Sequence, residues 1–104
     1  MGVNMRGIVF GATLDVARDK LNTMSTEYEK FWEVGIERII SSRHEYTIMF
    51  SNGDIWRCVE ANGSSCCGRR CNVALIDRDI SKEIVDCMIL PCVVRYPYGA
   101  VGYY

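Results

Sequence analysis

Residues 66–79 read CCGRRCNVALIDRD, and the fold turns on the second half of that stretch. NVALID (72–77) is a short apolar run that ends in an acid. That is the form of a buried strand which delivers Asp77 to a nucleotide or a metal at its carboxyl end. Arg78 follows directly. A second apolar run, RGIVF (6–10), is closed by Gly11 after Phe10 and reads as another buried strand. Both are apolar throughout, as expected of neighbours covered on both faces, so they are expected to pair in parallel.

Between them the chain supplies a helix and an antiparallel ribbon. GAT turns the chain, and Thr13 is a natural N-cap. Leu14, Ala17, Leu21, Met24, Tyr28 and Phe31 then recur at helical steps and predict one core-facing stripe, with the helix ending near Gly35. IERIISS (36–42) and EYTIMF (45–50) alternate as strands. Asn52-Gly53 is a strong hairpin signal and joins EYTIMF to IWRCVE (55–60). After a Gly/Ser-rich loop and NVALID, a helix is expected from about Ser81 to Leu90, ended by Pro91, and then a strand CVVRY. The sum is one α/β domain over residues 1–104, a small sheet of about five strands with an antiparallel hairpin and two helices.

At 104 residues such a domain buries roughly two thirds of its unfolded surface and holds its own core. A net charge of −1 gives no general attraction to nucleic acid or to an anionic membrane. The basic residues are unevenly chosen, nine Arg against three Lys, and Arg is the fork suited to phosphate. No segment has the length of a transmembrane helix, the stretch from Ile8 to Leu14 is not a signal peptide, and Arg6 stands where a myristoylation signal wants a hydroxyl. These features place the chain in a cytoplasm. There the six cysteines are expected as thiols. Cys66-x4-Cys71 and Cys87-x4-Cys92 are looser than zinc pairs usually are, so buried thiols are preferred to a metal site.

The order of these pieces resembles the middle of the ATPase core of phage large terminases, the motors that package DNA. The segments that carry the resemblance are IVFGAT, DVARDKL, IMFSNGD, SSCCGRRCN and VALID, in that order, over roughly residues 6 to 92. The resemblance implies a partial P-loop-type fold in which VALID is the Walker B strand and Asp77 its acid. The departures are as informative. No G-x-x-x-x-G-K-[ST] stretch is present, and Arg78 stands where the water-activating Glu would be. An Arg cannot serve as that base at neutral pH. ATP hydrolysis is therefore not expected, and no catalytic residue or cofactor is assigned. His44 beside Arg43 and Glu45 reads as a solvated edge residue, although a cysteine nucleophile paired with it is conceivable.

Two clusters remain as candidate ligand sites. One follows the carboxyl ends of the parallel strands: Gly11, Ala12 and Thr13 after the first, Asp77, Arg78 and Asp79 after NVALID. Arg78 either contacts a phosphate or pairs with Asp79, Glu83 or Asp86. The other gathers Asn52, Asp54, Trp56, Arg69, Arg70 and Asn72, with Trp56 either a stacking face for a base or a core residue. Tyr96, Tyr98, Tyr103 and Tyr104 are available to close over a ligand or to pack into a second subunit of a homo-oligomer. Three functions compete: a non-catalytic, phage-type binder of a nucleotide-like small molecule, for instance one that sequesters a host immune signalling nucleotide; an accessory nucleic-acid or packaging factor; and a protein–protein inhibitor.

Overall fold

The computed structural model describes residues 5–61, 70–93 and 99–104. Strand β1 (Arg6–Gly11) leads through a tight turn into helix α1 (Leu14–Trp32), and β2 (Ile36–Ser41), β3 (Tyr46–Phe50) and β4 (Ile55–Glu60) follow as a meander. The chain then enters β5 (Val73–Ile76), a helical run opened by α2 (Lys82–Ile84), and β6 (Ala100–Tyr103). All six strands form one sheet in the order β2-β3-β4-β1-β5-β6. β1 pairs in parallel with both β4 and β5, so the first strand lies near the middle of the sheet and has no free edge.

Covering both faces of β1 produces two cores. Ile8 and Phe10 point to one face, where Val59, Ile76, Val85 and Ile89 complete a cluster under the second helical run. Val9 points to the other, against Ala17, Leu21 and Tyr28 of α1 together with Ile48, Phe50 and Trp56. Gly7 shares this second face because a Cβ there would stand 2.2 Å from Cε3 of Trp56. The indole lies flat over the backbone of β1 and only a residue without a side chain admits it.

Several expectations are corrected. The small α/β sheet with its parallel pair and antiparallel hairpin is as expected, but its last strand is drawn from the Gly- and Tyr-rich tail, where it pairs in parallel with β5. Of the expected strand CVVRY, Cys92 belongs to a 3-10 turn, Val93 makes a single bridge to Cys71, and the rest lies outside the described residues. Helix α1 stops at Trp32, and Glu33 takes the left-handed cap position (φ 53°) that was expected nearer Gly35. Phe31, expected in the core stripe, is 77% exposed, while Ser25 is buried in the helix interior face. The second helical run widens into a π turn over Val85–Ile89, where the Leu90 N–H donates to Val85 O, and tightens to 3-10 at Leu90–Cys92. Pro91 has no N–H to continue an α ladder. The thiol of Cys92 donates instead to Met88 O, 3.1 Å away. Among the described residues no helix is long and apolar enough to cross a membrane.

Candidate functional site

β1, β4 and β5 run parallel, and their carboxyl ends meet at one edge of the sheet. The β1–α1 turn is built for close approach: a Cβ on Gly11 would sit 2.5 Å from Thr13 O and 2.7 Å from Ala17 N. Thr13 caps α1, its Oγ1 accepting the Val16 N–H at 3.3 Å and its carbonyl the Ala17 N–H. Asp77 holds this turn in place. Its Oδ2 accepts the Ala12 N–H at 2.9 Å and its Oδ1 accepts the Asp79 N–H at 3.0 Å. One carboxylate thereby ties the turn after β1 to the turn after β5.

Two clefts flank this junction. The smaller, about 450 Å³, is lined by Asp77, Arg78, Lys82, Asp86 and Tyr103 among others. Arg78 donates its backbone N–H to Tyr104 O, and its exposed side chain makes no ion pair with Asp79, Glu83 or Asp86. Tyr104 does not wait for a second subunit: its hydroxyl donates to Phe10 O at 2.9 Å, and Lys20 lies 5.6 Å from its ring centre. Tyr103 is half exposed at the rim, and Tyr96 and Tyr98 lie outside the described residues.

The larger cleft, about 680 Å³, opens between the start of α1, the β2–β3 turn and the end of β4. Arg18 forms one wall. Its guanidinium stacks 5.3 Å over the Tyr46 ring, Nη2 donates to Ser42 O at 3.3 Å, and Nη1 lies 4.0 Å from Asp15. Its buried Nε has no hydrogen-bond partner. Arg43 and His44 stand exposed on the turn opposite, and Cys58 and Glu60 come from β4. Cys58 and His44 thus do share a cleft, but burial pushes the Cys58 thiol up to about 12, with the Arg18 charge only partly opposing. A thiol in that range carries almost no thiolate at neutral pH and is a poor nucleophile.

The other candidate cluster lies at the opposite, amino edge, about 20 Å away across the six residues of β1. Most of it is internal bracing. Asp54 is buried: Oδ1 accepts the Met5 N–H at 2.8 Å, and Oδ2 accepts from the Tyr28 hydroxyl and from Asn52 Nδ2. Burial, reinforced by that bond to Asp54, raises the Tyr28 phenol well above its ordinary range. Trp56 is 2% exposed and cannot offer a face to a base; it is core. Its Nε1 meets no acceptor in hydrogen-bonding geometry, although it lies close enough to Tyr28 to moderate that shift. Asn72 braces the sheet, its Oδ1 accepting the Arg6 N–H at 3.0 Å. Arg70 is exposed beside it, and Arg69 lies outside the described residues. Only Thr13, Asp77 and Arg78 of the expected residues are therefore together at an open edge.

Of the expected cysteine quartet, Cys66 lies outside the described residues, Cys71 and Cys92 are buried and Cys87 is exposed. Burial lifts the Cys71 thiol to about 11. Among the described residues no three metal-ligating side chains converge. Sequence reasoning missed Arg18, Arg43 and His44 as a group, because only the folding of α1 across the meander brings position 18 to the 42–44 turn. The one available signal was a charged residue, Arg18, immediately after the buried Ala17 of the helix stripe.

No known protein-family profile matches the chain, and no curated protein matches it. Among solved structures, it is similar to the large terminase of a thermophilic bacteriophage, in one crystal form and in another that is in complex with ADP. Both superpose with a TM-score of 0.59 at 17% identity, over 99% and 100% of this chain. The chain spans 26% of the length of that terminase. The fold is thus terminase-like, as the order of the sequence segments implied.

Proposed function

We propose that the chain is a non-catalytic binder of a nucleotide-derived anion, held at the carboxyl edge of its parallel strands. The observation that carries this reading is the division of labour there: Asp77 is engaged by two backbone N–H groups, while Arg18, Arg43 and His44 surround a cleft of about 680 Å³. That volume accommodates a small phosphorylated molecule. Thr13 takes the Val16 and Ala17 amides, which leaves those of Leu14 and Asp15 at the open first turn of a long helix, where the dipole favours an anion. The ADP complex of the similar terminase supports a nucleotide as the ligand class. Without a Walker A lysine, and with Arg78 in place of the Glu, the bound nucleotide is kept and not hydrolysed. A phage-type protein of this kind serves to sequester a signalling nucleotide. An accessory DNA-contacting role has less support, because the net charge is −1.

Calorimetry with ADP, ADP-ribose and cyclic dinucleotides tests the reading. Binding of at least one is expected, with no release of phosphate from ATP and magnesium. Arg18→Ala and Arg43→Ala should each weaken it roughly ten- to a hundredfold, the loss of one charge-assisted bond. If Arg78→Ala alone weakens binding, the smaller cleft is the site. If none of these ligands binds, the proposal fails.

A further inference from the structure

A further cleft, about 280 Å³, adjoins the largest one at the carboxyl edge. The two share Ser42, His44 and Cys58, so they meet beside the β2–β3 turn. The remaining walls of the further cleft are Glu45, Thr47 and Arg57. Arg57 lies opposite Thr47 across β3 and β4. Its chain neighbours Trp56 and Cys58 belong to the α1 core, so Arg57 points to the other face of the sheet. The cleft is too small to enclose a whole nucleotide and has room for one base.

Its charged groups are positioned but unmatched. The buried Thr47 hydroxyl donates to Glu45 Oε1 at 3.3 Å, which draws that carboxylate toward the Arg57 side of the sheet. Glu45 Oε2 and the Arg57 guanidinium have no hydrogen-bond partner among the described residues, and the two exposed side chains form no ion pair with each other. A carboxylate and a guanidinium that share a wall without pairing present acceptor oxygens beside a planar fork of donors.

We infer that this cleft reads the base of the bound nucleotide, and that the base is guanine. The inference rests on the reading of the largest cleft as the phosphate site: with the phosphates at Arg18 and Arg43, the base passes His44 into the adjoining space. Guanine carries two neighbouring donors, N1–H and the N2 amine, beside two neighbouring acceptors, O6 and N7. Glu45 takes the donors and Arg57 the acceptors. Adenine reverses both. Its N6 amine meets the guanidinium and its bare N1 meets the carboxylate, so donor faces donor and acceptor faces acceptor.

Calorimetry on the full chain with the diphosphates of guanosine, inosine and adenosine (GDP, IDP and ADP) tests it. GDP should bind at least about tenfold more tightly than ADP, and IDP, which lacks only the N2 amine of GDP, should fall between them. Glu45→Gln keeps an oxygen for the Thr47 hydroxyl, so the melting temperature should not move, yet most of the difference between GDP and ADP should disappear. Arg18→Ala should weaken GDP and ADP alike and leave their ratio intact. Binding of ADP as tight as that of GDP, or a preference for GDP that Glu45→Gln leaves whole, overturns the inference while the phosphate site stands. If none of the three binds, the inference falls as well, and ADP-ribose and the cyclic dinucleotides alone decide the phosphate site.

Discussion

Asp54 and Asp77 are almost equally buried, 8% and 6% exposed, yet they sit at opposite edges of the sheet and differ in what surrounds them. Asp54 faces inward and accepts from a phenol, an amide side chain and a backbone N–H that belong to three different segments. Asp77 faces the rim, accepts two backbone N–H groups, and lines a cleft. The fraction of a carboxylate that is covered does not tell its role. What its donors are attached to, and which edge they occupy, does: the amino edge is sealed by its own side chains, and the carboxyl edge keeps its turn backbone and basic side chains turned to solvent.

The sharpest way to break this contrast is to remove each acid. Asp54→Ala strands the Tyr28 hydroxyl and the Met5 N–H in the interior and should cost about 3 kcal/mol. Asp77→Ala releases two amides that water can reach and should cost about 1 kcal/mol, the size of a lost cap. Urea unfolding of both variants measures the difference. Equal costs would show that the carboxyl edge is as closed as the amino edge.

Alkali probes the same contrast more gently. Folded Cys58 and Cys71 titrate at about 12 and about 11, raised from an ordinary value near 9 because burial disfavours the thiolate. A raised folded value means that the stabilisation is fully present below about 9, where neither state ionises, and is lost as pH climbs toward 11 and 12. Above 9 each thiol should reduce stability by at most about 1.4 kcal/mol per pH unit. Tyr28 and Tyr104, raised in the same direction by burial, add to the fall once the pH passes 10. Urea midpoints between pH 8 and 10.5 check this, and replacing both cysteines with Val should flatten the early part of the decline.

The smallest effect has the opposite sign. Glu33 is held at φ 53°, a conformation that costs a residue with a Cβ, whereas Gly35, two positions on, has space around it and no positive φ. Glu33→Gly should therefore stabilise by about 0.5 to 1 kcal/mol, read as a rise in the urea midpoint. A loss would mean that the Glu33 side chain contributes more than its backbone costs.

What the sequence made legible was local. The apolar run 73–76, the Asn52-Gly53 turn and the Thr13 cap each carry their reason within a few residues, and together they fix the parallel pair and the meander. Where two elements had to meet, the reading failed. Trp56 alternates with Arg57 like a half-exposed strand, but with both faces of β4 partly covered the alternation cannot say which side is dry. Phe31 continues the helical stripe past the part of α1 that the sheet covers. Residues 100–103 offer only Val101 and Tyr103 as strand formers around Gly102, too short a signal to read alone, and become β6 where β5 offers them an unpaired side.

The central position of β1 has a consequence for how the chain reaches this structure. The meander β2-β3-β4 closes through short turns, whereas β1 finds one of its partners far along the sequence; Arg6 and Asn72 are 66 residues apart. Long-range parallel pairing is slow because the loop entropy is lost before the contacts form. β1 leaves the ribosome before either of its partners and must wait longest to be paired on both sides. Until β5 and the helical run after it arrive, Ile8 and Phe10 remain an uncovered apolar surface on the nascent chain.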